Sequence, residues 1–264
     1  MIFIAFFLLA GCVSDQARIN KALDLANNAN LESQIISGKL PIQIFYQNHK
    51  SNHAVIYLEG DGLVINKYGE AALNSTPTDP MALRLVAVDN RKLSKIVINR
   101  PFHYIKDVSA NQKYWTTARY SSEVIAAIAN VIKICQKQFN FKTIEIVSYS
   151  GGAAVALLLT PYLPNITKIT TFAGNLDHVR WTKYHETEPL YESLDPLKNK
   201  AIISKIPQVH FVGKSDDNTT VDLALGYQQK IASNNVKIVP ITGFSHDSNW
   251  PEIWQKQLTS TSSQ

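Results

Sequence analysis

One eleven-residue stretch constrains this chain more than any other: Ile144-Glu145-Ile146-Val147-Ser148-Tyr149-Ser150-Gly151-Gly152-Ala153-Ala154. A β-branched run passes directly into a helix of small residues, with no loop between them. The backbone must turn sharply at Ser150, and a side chain on such a turn projects above the end of its strand. Strand and helix then pass so closely that the positions two before and two after the turn must be small. Gly152 meets this demand fully. Ser148 stands where glycine is usual, and a serine is small enough to fit. Ser148 itself is a poor nucleophile candidate, because Ile146 would occupy its crowded minus-two position.

The rest of the chain supplies a frame for that turn. Leu40–Gln47 and Ala54–Glu59 are β-rich runs joined by a polar turn, Asn48–Asn52, which predicts a hairpin. Pro80–Asp89 reads as a helix, and Ile96–Asn99 as a strand ended by Arg100-Pro101. Ser121–Phe139 is a long helix whose apolar residues Val124, Ile128, Val131, Cys135 and Phe139 recur at spacings of three and four, as one face requires. Strands then alternate with helices: 144–147, 151–159, 166–172, 208–212, 221–232, 236–241 and 251–258. Such alternation indicates an α/β domain with a mostly parallel central sheet and helices on both faces. The domain is expected over 40–258. Asn175–Ser204 breaks the alternation and reads as a small cap. Residues 12–39 read as a spacer with an exposed helix at Ala17–Asn28, and Thr259–Gln264 as a polar tail.

With 264 residues, 45% hydrophobic and 18% charged, the chain can bury one ordinary core. Its charge, 26 − 21 = +5, is scattered rather than clustered, so a nucleic-acid partner is not expected. Two cysteines, Cys12 and Cys135, are too few for a disulfide scaffold or a cysteine-based zinc site.

Two further residues complete a chemical set. Val209–Asp216 is a strand leading to an acid, Asp216, and Thr242–His246 follows the next strand with an imidazole. In a parallel sheet the C-terminal ends of the strands share one rim, so Ser150, Asp216 and His246 can meet there. The serine needs a base to take its proton, and the acid fixes the imidazole's tautomer. Asp217 and Asp177 remain alternatives for the acid. His103, His178, His185 and His210 are rivals for the base, but only His246 follows the last strand. Val55–Gly62 is a strand opening into a glycine-flanked loop, whose Asp61 and Gly62 N–H groups, with that of Gly151, would bind a developing oxyanion. Tyr149, Tyr114 and Trp115 are candidates for the substrate pocket.

These features resemble the α/β-hydrolases over roughly Leu40–Leu258. More narrowly, Glu59-Gly60-Asp61-Gly62, Arg100-Pro101 and Tyr114-Trp115-Thr116 ahead of the nucleophile turn resemble bacterial α/β-hydrolase lipoproteins. The resemblance implies the α/β-hydrolase fold and a serine-hydrolase site with neither metal nor organic cofactor, and it identifies no substrate. The residues themselves lead us to expect a small acyl substrate, a carboxylic ester first, with a thioester or amide as alternatives. An acyltransferase or peptidase would use the same residues. A non-catalytic scaffold on this fold is the alternative from a different class.

The N-terminus suggests a location. Ile2–Ala10 is wholly apolar, but its nine residues make ~14 Å of helix against a ~30 Å bilayer core. It reads as a secretion signal over 1–11. Leu9-Ala10-Gly11-Cys12 resembles the lipobox of bacterial lipoproteins, in which the cysteine is acylated and becomes the first residue. Val13 after it implies the outer membrane of a Gram-negative host, with the protein anchored in the cell envelope by lipid on Cys12. No Lys or Arg precedes the apolar run, a departure from the usual signal.

Overall fold

The computed structural model describes residues 14–106 and 110–261. The elements in chain order are α1 (Asp15–Asn28), β1 (Glu32–Ile36), β2 (Ile42–Gln47), β3 (His53–Leu58), α2 (Met81–Ala87), β4 (Ser94–Ile98), α3 (Ser122–Phe139), β5 (Thr143–Tyr149), α4 (Gly152–Leu158), β6 (Ile166–Phe172), α5 (His178–Tyr184), α6 (Lys200–Ile203), β7 (Gln208–Gly213), α7 (Val221–Ile231), β8 (Val236–Ile241) and α8 (Trp250–Thr261). The strands form one eight-stranded sheet in the order β1-β2-β4-β3-β5-β6-β7-β8. β2 pairs antiparallel with both neighbours, and every pairing from β4 to β8 is parallel.

Strand side chains alternate between two cores, as a period of two requires. Ala54, Ile56, Leu58, Ile144 and Ile146 pack with α3, α4 and α7 on one face. Val55, Tyr57, Val147 and Tyr149 pack with α1, α2 and α8 on the other. α3 follows its sequence pattern: Val124, Ile128, Val131, Cys135 and Phe139 are all buried, and Ser121 Oγ caps the helix by accepting from Val124 N. Burial pushes the Cys135 thiol up to about 12, so it stays protonated and acts as a small apolar group.

Three sequence expectations fail. The hairpin over 48–52 does not form, because β4 lies between β2 and β3. β4 is buried along its whole length, so it needs a neighbour on each side. The polar turn serves β4 instead: Ser94 N donates to Ser51 Oγ at 2.7 Å, and Ser94 Oγ donates to Asn48 Oδ1 at 3.0 Å. The hairpin that does form joins β1 to β2. β1 escapes the pattern search because it is a largely exposed edge strand with no apolar alternation.

Nor is 12–39 a spacer as far as it is described. α1 buries Ile19, Ala22 and Ala26 in the same core as Met81 and Leu85 of α2, and β1 extends the sheet. At the other end, α8 continues to Thr261, so 259–261 are helix rather than tail. The cap segment forms α5 and α6 with irregular chain between them, and Leu190 and Ile203 anchor it in the α3/α4 core.

If α1 belongs to the core, a charge at fully buried Ala22 should be far costlier than one at neighbouring Leu23, which is 36% exposed. Ala22→Asp should lose about 3 kcal/mol or more in urea unfolding, and Leu23→Asp about 0.5 kcal/mol or less. Equal small losses would return α1 to a spacer.

Candidate active site

The turn after β5 has the strained geometry that its sequence demands. Ser150 sits at φ 50°, a left-handed conformation that costs a non-glycine residue energy. Three backbone hydrogen bonds hold it there: its N–H donates to Phe172 O at 3.1 Å, and its carbonyl accepts from Ala153 N and Asn175 N, each at 3.0 Å. The close approach is real. A Cβ on Gly152 would lie 2.7 Å from Leu58 O and 2.8 Å from Glu59 O. Ser148 is fully buried and its Oγ has no hydrogen-bond partner, so it serves as a small residue under the helix.

Three side chains from three strand ends converge. His246, on the loop between β8 and α8, places Nε2 3.0 Å from Ser150 Oγ. Its Nδ1 lies 3.0 Å from Asp216 Oδ2. Asp216 follows β7 and also accepts from Asn218 N at 2.9 Å, Thr219 N at 2.8 Å and Thr219 Oγ1 at 2.8 Å. Burial pushes the Asp216 carboxyl up, but the hydrogen bond from His246 and the Thr219 donors outweigh it and hold the group below its ordinary range. An ionised carboxylate only accepts, so Nδ1 carries the imidazole proton and Nε2 is left to accept from Ser150. The ring is steadied by Tyr149, centroid to centroid 5.3 Å, and by Trp250 Nε1, which donates to His246 O at 2.7 Å.

Among the described residues none of the rival groups hydrogen-bonds to Ser150 Oγ or to the His246 ring. Asp217 is exposed. Asp177 caps α5 through Arg180 N and binds Lys230 Nζ at 2.6 Å. Burial pushes His103 and His210 down to about 3, and His210 is held between Thr171 and Gln208. His178 and His185 meet the carbonyls of Leu194 and Asn218, each at 2.8 Å.

A cavity of about 460 Å³ opens over this set. Ser150, His246, Asp61, Gly62, Gly151 and Tyr149 all line it. Gly62 needs to be glycine: its φ is 73°, and a Cβ there would collide with Ser75 O. Tyr114 and Trp115 do not reach the cavity. They are buried in the α3 core, where Tyr114 Oη donates to Glu123 at 2.6 Å and Trp115 Nε1 to Ala72 O at 2.9 Å. Instead Trp181 and Asn175 of the cap segment, Arg119, and Leu63–Ile65 form walls that sequence reasoning missed.

Asp61 has a second part that its backbone role did not foretell. Its carboxylate fills the space where a Cβ on Gly151 would stand. Arg119 Nη1 and Tyr120 Oη donate to Oδ2 at 3.1 and 2.7 Å, and Arg100 Nη1 lies 3.4 Å from Oδ1. Burial pushes this carboxyl up, but Arg100, Arg119 and Tyr120 together hold it below its ordinary range. The loop carrying the Asp61 and Gly62 N–H groups is thereby tied to Arg119 and Tyr120 and packed against Gly151.

Glu59 ties the loop's other end, accepting from Gly60 N at 2.9 Å and from Ala82 N, at the start of α2, at 3.1 Å. Burial, only partly offset by those two donors, raises its carboxyl from 4.5 to about 7. A raised carboxyl binds its proton better in the folded than in the unfolded state between those values. It therefore adds stability below pH 4.5 that is lost as pH rises through 7. Between these limits the wild type should lose on the order of 3 kcal/mol relative to Glu59→Gln. Parallel stability profiles of the two proteins would contradict this environment.

No family model matches the chain, and no curated protein matches it in sequence. Solved structures do. An esterase from Pyrococcus furiosus superposes with a TM-score of 0.62 at 15% identity, over 89% of this chain and 91% of its own. Est1E from Butyrivibrio proteoclasticus gives 0.60 at 11% identity, over 88% and 99%. An alpha-beta serine hydrolase homologue from Coxiella burnetii gives 0.54 at 13%, over 87% and 96%. At such identities the likeness speaks for architecture alone: the chain has the α/β-hydrolase fold.

Proposed function

We propose that the protein is a serine hydrolase of carboxylic esters, with Ser150 as nucleophile, His246 as general base and Asp216 as the orienting acid. One observation carries the reading: a single imidazole lies 3.0 Å from a hydroxyl on one side and 3.0 Å from a buried carboxylate on the other. Ser150 Oγ attacks the acyl carbon while its proton passes to His246 Nε2. The developing oxyanion is held by the N–H of Gly151 and by those of Asp61 and Gly62. His246 then protonates the leaving alcohol, and water, activated by the same imidazole, releases the acyl group. The structural neighbours named as esterases favour an ester over an amide, although another neighbour is named a puromycin-hydrolysing peptidase.

The cell envelope is the proposed setting, with lipid on Cys12 as the anchor and the outer membrane as the destination. Cys12 and the apolar run lie outside the described residues. Among the described residues no helix is long and apolar enough to cross a membrane. In this reading the acyl chains supply the attachment, each buried CH₂ adding about 0.8 kcal/mol.

A fluorophosphonate probe should label the wild type and Ser148→Ala but not Ser150→Ala, whose kcat should fall roughly 10⁴-fold or more with the fold intact. Asp216→Asn should cost a large factor by favouring the wrong tautomer of His246, and Asp217→Asn little. Labelling that survives Ser150→Ala would remove the nucleophile from this account. For the anchor, cells fed an alkyne fatty acid should label the wild type and not Cys12→Ser. An unlabelled wild type would leave the lipobox reading without support.

A further inference from the structure

The cavity has an apolar lip. Leu63 and Ile65 line it and are nevertheless 37% and 54% exposed. Further along the same loop, outside the lining, Tyr68 and Leu73 are 73% and 92% exposed. This loop is built, not loose. Ile65 bridges Ala71, Asn66 N donates to Glu70 O at 2.8 Å, and Asn66 Oδ1 accepts from Tyr68 N at 2.8 Å. Trp115 Nε1 and Leu63 N pin its two ends to Ala72 O and Ser75 O, each at 2.9 Å. Four large apolar side chains are thus displayed to water on a fixed scaffold beside the site, a pattern that marks an interaction surface. On the cap segment, Trp181 lines the cavity, and Tyr184, three residues on and so on the same helical face, is 54% exposed.

The N-terminus of α1 abuts this same wall. Asn74 Nδ2 donates to Asp15 Oδ2 at 3.0 Å. Arg18 donates to the carbonyls of Asn74 and Thr76. Lys21 Nζ donates to Thr78 O at 2.9 Å, and Pro77, Thr78 and Asp79 line the cavity. Cys12 precedes Asp15, the first residue of α1, by three positions. A chain spans at most roughly 3.6 Å per residue, so three residues of chain reach no further than roughly 11 Å from Asp15. Lipid on Cys12 would enter a bilayer close to the 63–73 loop.

We infer that the cavity mouth rests on the bilayer through the 63–73 loop, and that the ester it takes is carried by a membrane lipid whose acyl chain enters across Leu63 and Ile65. This rests on the proposed hydrolase and on its anchor at Cys12. The 63–73 loop carries one basic and one acidic side chain, Lys67 and Glu70, both exposed, so apolar contact rather than headgroup charge holds the surface. A zwitterionic bilayer is sufficient.

The full lipidated chain, reconstituted in phosphatidylcholine vesicles, provides the test. p-Nitrophenyl butyrate offered in water and p-nitrophenyl palmitate dissolved in the bilayer share one leaving group and one type of bond, and differ in acyl chain and presentation. Tyr68→Ser combined with Leu73→Ser changes two exposed residues outside the cavity lining. The double variant should lose about tenfold on the palmitate, for want of apolar area at the interface, and stay within about twofold of wild type on the butyrate. Equal effects on both substrates, or none on the palmitate, would overturn the docking surface. A wild type that cleaves butyrate but not bilayer palmitate would overturn the lipid substrate and leave the hydrolase standing. Cleavage of neither ester would remove the hydrolase reading and this inference with it.

Discussion

The close approach of α4 to β3 at Gly152 sets the terms for everything around it. Two carbonyl oxygens, of Leu58 and Glu59, lie where any side chain at Gly152 would have to go. A helix can start that close to a neighbouring strand only if the chain turns within one residue. That residue is Ser150, forced into left-handed backbone and clamped by Phe172, Ala153 and Asn175. The strain is local and the payoff is position: the hydroxyl stands above the sheet edge, where the loops after β7 and β8 also end. The same contact brings the end of β3 against the turn, so the loop that follows, Gly60-Asp61-Gly62, has no choice but to face Ser150.

Charge is then arranged to hold that loop. Glu59 grips one end with two backbone donors, and Asp61 presses against Gly151 between two guanidinium groups. In the proposed reaction, a carboxylate beside the developing negative charge would oppose it. Arg100 and Arg119 more than balance Asp61, which leaves its charge to act as a tether for the backbone. Across the cavity, Asp216 is ionised by its His246 and Thr219 partners, and that alone determines which imidazole nitrogen can accept from Ser150. The polar groups of the site thus work mainly through orientation.

Much of this was legible in the residue order. The turn at Ser150 declares itself because steric crowding permits few residues at 148, 150 and 152. Asp216 and His246 follow because parallel strands put their C-terminal ends on one rim. What failed were inferences about partners distant in sequence. Nothing in 40–59 says that β4, almost forty residues later, will part β2 from β3. Local turn chemistry at 48–52 looked like a hairpin and was in fact satisfied by Ser94. α1 looked exposed because its buried face is short and uses alanines, which carry little apolar signal. Tyr114 and Trp115 are aromatic and close in sequence to Arg119, but they point into the α3 core while Arg119 reaches the cavity. Trp181 sits on α5, a helix of seven residues, too short to show a period, and the 63–65 wall comes from irregular chain.

The central claim is that Ser150, His246 and Asp216 act together under an oxyanion loop held by Asp61 and Glu59. A crystal structure of the protein reacted with a small alkyl phosphonate tests it most directly. The account predicts phosphorus bonded to Ser150 Oγ, the phosphoryl oxygen accepting from Gly151 N and from Asp61 or Gly62 N, and His246 still bound to Asp216. A phosphonate on another residue, or on Ser150 with its phosphoryl oxygen turned away from all three N–H groups, would contradict it.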